Sequence, residues 1–86
     1  MDISVELTLT PLQDNYEELI KKFIKKIRDS GFTISENPLS TQIYGDYDDI
    51  MEWLNTEIKL ALELVENGLM YIKIVKSDRS NYEPNF

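Results

Sequence analysis

Apolar and polar residues alternate along positions 3–10, the first regular pattern in the chain. The apolar positions are Ile3, Val5, Leu7 and Leu9, and the polar positions are Ser4, Glu6, Thr8 and Thr10. A period of two residues is typical of a β-strand with one face in the core and the other face open. Pro11 lacks the backbone N–H that a strand ladder needs, so we expect the strand to end there.

A helical period replaces this alternation from Tyr16 onward. Apolar side chains recur three or four positions apart and fall within an arc of roughly 140°. They are Tyr16, Leu19, Ile20, Phe23, Ile24 and Ile27. Asp14 followed by Glu17 predicts a capping box at the start of this helix, and Gly31 is typical of a helix end. The opposite face carries lysines, which we interpret as a solvated surface.

Two short strands are predicted after the first helix. Residues 32–34 form the first, residues 35–38 carry turn chemistry, and residues 39–44 form the second. Alternation divides the second strand, with Leu39, Thr41 and Ile43 toward the helices and Ser40, Gln42 and Tyr44 toward the open face. Gly45 interrupts this strand, and Asp46 is expected to cap a second helix.

The second helix is predicted from about Tyr47 to Asn67, where Asn67-Gly68 is a stop signal. Its core stripe is Tyr47, Ile50, Met51, Leu54, Ile58, Ala61, Leu62 and Val65. A second apolar line, made of Trp53, Leu60 and Leu64, lies roughly 100° round the helix. One core does not need so wide an apolar arc. Either a partner subunit or the C-terminal tail is therefore expected to cover the excess.

A last strand over residues 69–76 completes the order strand, helix, strand, strand, helix, strand. Its core-facing residues are expected to be Met70, Ile72 and Ile74. Two split strand-helix-strand units with right-handed crossovers predict an α+β fold, the ferredoxin-like βαββαβ sandwich. Its antiparallel four-stranded sheet would have the order 4-1-3-2, with both helices on one face. The domain is expected to span residues 1–76, followed by a C-terminal tail over residues 77–86.

Composition excludes several classes of function. The 86 residues include no Cys and no His, which excludes thiolate and histidine metal sites, cysteine nucleophiles and Ser-His-Asp catalysis. A net charge of −7 disfavours nucleic acid and anionic membranes as partners. The chain starts without a signal-peptide pattern and has no apolar run long enough to span a bilayer, so we expect a cytoplasmic protein.

Six polar residues on the two predicted central strands form the candidate ligand site. They are Glu6, Thr8, Ser40, Thr41, Gln42 and Tyr44. A carboxylate, an amide, hydroxyls and an aromatic face together suit a planar heterocycle with an amino group and ring nitrogens. The same alternation is typical of a solvated or self-associating sheet face, so both interpretations stand. The acidic group Asp46, Asp48 and Asp49 is interpreted as N-terminal helix charge and not as a metal site.

Several stretches of the chain resemble the YkoF-like thiamine-binding family. They are SVELTL at residues 4–9, Pro11-Leu12, Tyr16-Glu17, NPLSTQIYGDYDDIM at residues 37–51, and residues 57–59. The resemblance covers nearly the whole chain, and residues 40–48 are its most specific part. It implies a ferredoxin-like domain that binds thiamine or its hydroxymethylpyrimidine half, acts in salvage or transport of the vitamin, uses no cofactor and is not catalytic.

The resemblance also implies self-assembly. Family members associate through their sheets, and this chain carries one domain where the founding type carries two. A homo-oligomer, dimer or tetramer, formed through sheet faces or edges is therefore expected to supply the second copy. Because Glu6 and Gln42 are expected on the same face, the ligand is predicted on the outer face of the sheet at a subunit interface. Contacts of a ligand to Thr41 would instead indicate an inner pocket.

Two other functions remain open on the sequence. The open sheet face could serve only to oligomerise, which would make the chain an interaction or regulatory module without a ligand. A small enzyme of the acylphosphatase or muconolactone-isomerase kind is the least favoured interpretation. The acylphosphatase pattern needs an arginine after the first strand, whereas Arg28 lies late in the first helix and Arg79 lies in the tail.

Overall fold

The computed structural model describes all residues, 1–86. Its elements are β1 (Asp2–Pro11), α1 (Tyr16–Arg28), β2 (Thr33–Glu36), β3 (Thr41–Asp46), α2 (Tyr47–Leu64) and β4 (Gly68–Lys76). The strands form one antiparallel sheet in the order β2-β3-β1-β4, which is the predicted order read from the opposite edge. The predicted ferredoxin-like βαββαβ fold of class α+β is confirmed.

The core lies between the helices and the apolar face of β1, as the alternation predicted. The buried strand residues are Ile3, Val5, Leu7, Leu9 and Ile43, and the buried helix residues are Leu19, Phe23, Ile27, Ile50, Leu54 and Ala61. Burial of this apolar surface is the main favourable contribution to folding. Because both helices pack on the same face, the polar side chains of the central strands, apart from that of Thr41, remain on the opposite, open face.

The turn before β3 is longer than predicted. β2 ends at Glu36 and β3 begins at Thr41, so Leu39 lies outside both strands. Oδ1 of Asn37 accepts hydrogen bonds from the backbone N–H groups of Leu39 at 2.9 Å and Ser40 at 3.1 Å. This Asx turn removes residue 39 from the strand alternation. The prediction that Leu39 belongs to the strand is therefore wrong, and the residue is 85% exposed instead of packing in the core.

The start of α1 also differs from the prediction. The helix begins after Asn15, and no side chain caps its first turn. Nε2 of Gln13 donates to Oδ1 of Asn15 at 2.6 Å, while Oε1 of Gln13 accepts from the backbone N–H of Glu66 at 2.8 Å. Gln13 thus engages the oxygen that could have capped the helix. The predicted capping box at Asp14 is wrong.

α2 begins as predicted and ends three residues early. Oδ2 of Asp46 accepts from the backbone N–H groups of Asp48 and Asp49 at 3.1 and 3.4 Å, which caps the helix. At the other end Val65 adopts an extended backbone, with φ −93° and ψ 143°. The backbone N–H of Leu12 then donates to the carbonyl of Asn67 at 2.8 Å, so this segment is joined to the end of β1.

β4 is an edge strand that the helices cover incompletely. Ile72 and Ile74 lie opposite Leu7 and Val5, which places both on the helix side of the sheet as predicted. Both are nevertheless nearly half exposed, because α1 packs on β1 and α2 packs on β3, nearer the middle of the sheet. Met70 packs against the core. The outer edge of β4 has no strand beside it.

The first residues after β4 fold back over the open face of the sheet. The hydroxyl of Ser4 donates to the carbonyl of Ser77 and accepts from the backbone N–H of Arg79, both at 2.8 Å. Ser4 is buried for this reason, although it lies on the open face. Further along, Tyr82 and Phe86 are exposed. None of the helices has the length and apolar character required to cross a membrane.

Candidate functional site

A chain of hydrogen bonds joins β1 and β3 on the open face. The hydroxyl of Ser40 donates to Oε2 of Glu6 at 2.9 Å and accepts from Nε2 of Gln42 at 2.6 Å. Glu6 lies directly opposite Gln42 in the β1–β3 register, and Ser40 lies two residues before Gln42. The structure thus brings together three of the six predicted site residues, on the face where the strand alternation placed them.

The Asx turn at Asn37 sets the position of Ser40. Besides the two bonds to the side chain of Asn37, the backbone N–H of Asn37 donates to the carbonyl of Ser40 at 3.1 Å. Nδ2 of Asn37 also approaches Oε1 of Gln42 at 3.5 Å. Sequence reasoning did not assign Asn37 to the site, although the Asn-Pro pair was the available signal for a turn.

The second carboxylate oxygen of Glu6 lies near a lysine. Nζ of Lys73 lies 3.6 Å from Oε1 of Glu6, across the β1–β4 pair. Both side chains are well exposed, so this ion pair contributes little to stability. The carboxylate of Glu6 therefore has a partner on each oxygen, and a ligand on the open face would share these oxygens with them or replace one of them. Thr8, Tyr71 and Ile72 border a surface depression beside this pair.

A small cavity lies on the other side of Ser40. Its volume is about 120 Å³, and it is an open pocket bordered by the end of β1, the 37–40 turn and one side of α1. The lining residues are Leu7, Thr8, Leu9, Ile20, Phe23, Ile24, Asn37, Pro38, Leu39, Ser40 and Thr41. Three predicted site residues, Thr8, Ser40 and Thr41, are among them. The apolar wall of α1 is the part that sequence reasoning missed, because those positions were read only as core.

Thr41 is the most enclosed polar group of this cavity. It faces the helices, opposite Leu7 in the sheet, and is only 6% exposed. Its hydroxyl makes no hydrogen bond within the chain. Every fully buried polar side-chain atom of the chain has a partner, so the hydroxyl of Thr41 is not fully buried. Buried hydroxyls are normally paired. Thr41 therefore offers an unused donor and acceptor to whatever enters the cavity.

The other two predicted residues lie at the margins. The hydroxyl of Thr8 donates to the carbonyl of Leu39 at 3.5 Å, a long bond that joins β1 to the turn. Tyr44 lies opposite Ser4 and Thr33, further along β3, and takes no part in the hydrogen-bond chain. Tyr44 follows Gln42 by two residues on the same face, so it borders the cluster without bonding to it.

The acidic group at the start of α2 acts on the helix itself. Asp46 caps the helix, and the pKa of its carboxyl is lowered, chiefly by its hydrogen bond from the amino group of Met1 at 3.2 Å. The backbone N–H groups of Asp49 and Asp48 add to this effect. No group of three or more Asp and Glu residues is arranged to hold a metal ion.

Comparison with solved structures finds the same fold in several bacterial proteins. A Streptococcus pneumoniae protein aligns with a TM-score of 0.82 at 22% identity, covering 91% of this chain and 89% of its own. A Thermotoga maritima protein, provisionally assigned to thiamine biosynthesis or salvage, aligns with a TM-score of 0.80 at 18% identity, covering 90% and 85%. A Bacillus cereus domain of unknown function gives 0.74 at 15% identity, covering 91% and 78%.

At these identities the likeness establishes the fold alone. A family profile described as "Thiamine-binding protein" matches residues 5–84, which include all six predicted site residues. None of the curated proteins matches the chain.

Proposed function

Because the chain belongs to the thiamine-binding protein family, which its match over residues 5–84 establishes, we propose that it binds thiamine or the hydroxymethylpyrimidine half of that vitamin. In this proposal the protein binds and releases the ligand unchanged, without a cofactor, and serves vitamin salvage or transport. The cytoplasmic location expected from the sequence stays a prediction.

The observation that carries this proposal is the unpaired hydroxyl of Thr41, a residue that lines a cavity with apolar walls. At about 120 Å³ the cavity is close in size to an engineered protein cavity of about 150 Å³ that admits benzene. A single six-membered ring suits this volume, and the two linked rings of thiamine exceed it. We therefore propose that the pyrimidine enters the cavity and that the thiazolium of intact thiamine stays at its mouth.

Each lining group has a role in this arrangement. Ile20, Phe23 and Ile24 pack against the ring, and the hydroxyl of Thr41 forms a hydrogen bond with a ring nitrogen or the amino group. Ser40 lines the cavity as well, while its hydroxyl is held on the open face by its bonds to Glu6 and Gln42. In this proposal Glu6 and Gln42 orient Ser40 from the open face of the sheet, and Thr8 forms the part of the cavity wall that belongs to β1.

Calorimetric titration of the full chain with hydroxymethylpyrimidine and with thiamine tests this proposal. We expect hydroxymethylpyrimidine to bind at least as tightly as thiamine. Thr41→Val, which keeps the shape and removes the hydroxyl, should weaken binding by about threefold to tenfold. Thr33→Val, on the open face of β2, is the matched control and should change nothing. Absence of both heat and a thermal shift at millimolar ligand would rule the proposal out.

A second candidate function, self-association without a ligand, is favoured by the outer edge of β4. This nine-residue strand pairs only with β1. Its exposed apolar side chains are Leu69, Tyr71, Ile72 and Ile74, and Leu62 of α2 is also exposed. Natural proteins normally protect long apolar edge strands by charge, proline, twist or a covering element. We propose that two copies pair their β4 strands antiparallel about a two-fold axis, which makes the contact self-complementary.

The two candidates make different predictions for sedimentation. If β4 pairs between copies, the protein should sediment as a dimer or a larger oligomer, and Ile72→Lys should reduce the mass to that of a monomer. Leu39→Lys, at an exposed apolar residue between β2 and β3, should leave the mass unchanged. A wild-type chain that remains monomeric at high concentration would exclude this mode of assembly and leave ligand binding unaffected.

A further inference from the structure

A second and larger cavity lies between α1 and α2. This interhelical groove has a volume of about 320 Å³. Its apolar lining consists of Leu9, Leu19, Phe23, Leu60, Ala61 and Leu64. Leu9 and Phe23 line the smaller cavity as well, so they form the wall between the two.

The groove is where the core is least well covered. Most buried apolar residues are 0–2% exposed, whereas four of them are 6–7% exposed. Those four are Leu9, Leu19, Phe23 and Ala61, and all of them line the groove. Ala61 is the smallest, so a larger residue at this position of α2 would fill the space. The groove is thus an opening in the packing of the helix layer.

The outer wall of the groove belongs to the second apolar line of α2, made of Trp53, Leu60 and Leu64. The sequence did not decide whether a partner subunit or the tail covers this line. Of that line, Trp53 packs edge-to-face on Phe32, with ring centroids 6.0 Å apart. Leu60 and Leu64 have no such partner and are 43% and 56% exposed. The tail does not cover them, because its aromatic residues are themselves exposed. Two large apolar side chains are therefore available to a bound molecule.

The rim of the groove carries positive charge in an acidic protein. Lys22, Lys25 and Lys26 of α1 line it, together with Asp29 and Glu57. Three lysines against two carboxylates give the rim a net charge of +1, whereas the whole chain has −7. None of the three lysines takes part in any of the chain's salt bridges. Lysine stems can lie along apolar surface while the ammonium groups reach a ligand at its edge.

We propose that the interhelical groove binds a free medium-chain fatty carboxylate. Its hydrocarbon chain lies on the apolar floor between Leu60 and Phe23, and its carboxylate reaches the lysines of α1. The volume is at the low end for small-molecule pockets, roughly 300–1,000 Å³. A partner helix would need a longer apolar groove with several successive anchors. A cationic ligand such as thiamine would meet lysines here, whereas the lining of the smaller cavity contains no charged residue.

Titration of the full chain with octanoate, decanoate and decyltrimethylammonium tests whether the groove recognises both the hydrocarbon chain and the negative charge. Two extra methylenes on the apolar floor should tighten the Kd of decanoate over octanoate by up to about tenfold. Decyltrimethylammonium has the same chain with the opposite charge and should bind at least tenfold more weakly than decanoate. Equal binding of the two decyl compounds, or no binding of decanoate at millimolar concentration, would overturn the proposal.

Matched variants locate the site. Leu60→Gln should weaken decanoate binding at least fivefold, while Leu62→Gln, at a leucine of α2 that is 41% exposed outside the groove, should not. The double variant Lys22→Gln/Lys26→Gln should weaken it at least threefold, and Lys21→Gln should leave it unchanged. Ala61→Leu, which fills the floor, should abolish binding. If Leu60→Gln and Leu62→Gln bind equally well, the site lies elsewhere and the proposal fails, whatever the outcome with hydroxymethylpyrimidine.

Discussion

Arg28, the last residue of α1, forms a double hydrogen bond with Glu36, the last residue of β2. Nε donates to Oε2 and Nη2 donates to Oε1, both at 2.9 Å. Two parallel bonds of this kind match the planar guanidinium to the planar carboxylate. The pair joins the end of the first helix to the edge strand that follows it. The hydrogen bond from Arg28 is also the main reason why the pKa of Glu36 is lowered.

This pair predicts a pH dependence of stability with a definite sign. Because the pKa of Glu36 is lower in the folded chain than its ordinary value of 4.5, the folded state binds this proton less readily than the unfolded state. The pair therefore stabilises the fold above that ordinary value, and the contribution is lost as the pH falls through the folded-state pKa. Glu36→Gln should lower the free energy of unfolding at pH 7 and converge with the wild type in acid.

Urea unfolding of both chains between pH 7 and pH 2.5 measures this difference. The effect should be small, because the pair is largely exposed, and it should shrink in high salt. Glu63→Gln is the control, since Glu63 is an exposed glutamate that forms no salt bridge. A difference between Glu36→Gln and the wild type that grows in acid would contradict the assigned sign.

A second prediction concerns the contact between Ser4 and the tail. The hydroxyl of Ser4 donates to the carbonyl of Ser77 and accepts from the backbone N–H of Arg79. Ser4→Ala therefore leaves two partly buried backbone groups without a partner. We expect a loss of about 1–3 kcal/mol in the free energy of unfolding. The amide of Arg79 should also exchange faster with solvent. Ser35→Ala, at an exposed serine of β2, is the matched control, and an equal loss there would refute this assignment.

A third prediction concerns Gly31, where the chain leaves α1. Its φ is +85°, a left-handed backbone that glycine adopts without cost, and no atom lies within 4 Å of the place a Cβ would occupy. Gly31→Ala should therefore destabilise the fold by about 1 kcal/mol through backbone strain alone. Gly31→Asn should cost less, because asparagine tolerates this conformation. Thermal unfolding of both variants tests the order, and equal costs would point to a steric cause instead.

The sequence predicted those parts of the fold that depend on periodicity. The alternation of β1 placed Glu6 on the open face, and the same rule placed Gln42 there, so their pairing across the sheet followed from the strand order. Capping of α2 by Asp46 also followed from local chemistry. These features need only the identity of a residue and its position in one element.

The rest depends on contacts between distant segments, which no local pattern encodes. The N-cap position of α1 falls at Asn15 instead of Asp14, and Gln13, which also bonds to Glu66, engages the side-chain oxygen of Asn15. The Asx turn of Asn37 removed Leu39 from the strand and placed Ser40 between a cavity and the open face. Ile72 is exposed because the helices pack nearer the middle of the sheet. The periodicity of β4 does not specify where the helices pack.

The last prediction separates a ligand in the smaller cavity from a ligand on the open face. Ser40 lines the cavity and also joins Glu6 to Gln42, whereas Gln42 belongs to the open face alone. If the pyrimidine ring enters the cavity, Ser40→Ala should raise the Kd for hydroxymethylpyrimidine about threefold to tenfold, because the bonds that fix this lining residue against Glu6 and Gln42 are lost. Gln42→Ala should raise it less than twofold, since Ser40 still donates to Glu6.

The opposite order would identify the outer site. There the amide of Gln42 would pair edge-on with the ring, and Gln42→Ala would then weaken binding at least as much as Ser40→Ala. Sedimentation of the same variants separates ligand loss from disassembly, because Gln42 lies on the inner strand β3, which β1 separates from β4. A change in mass for Gln42→Ala without any ligand would instead mean that the open face itself is an interface between copies.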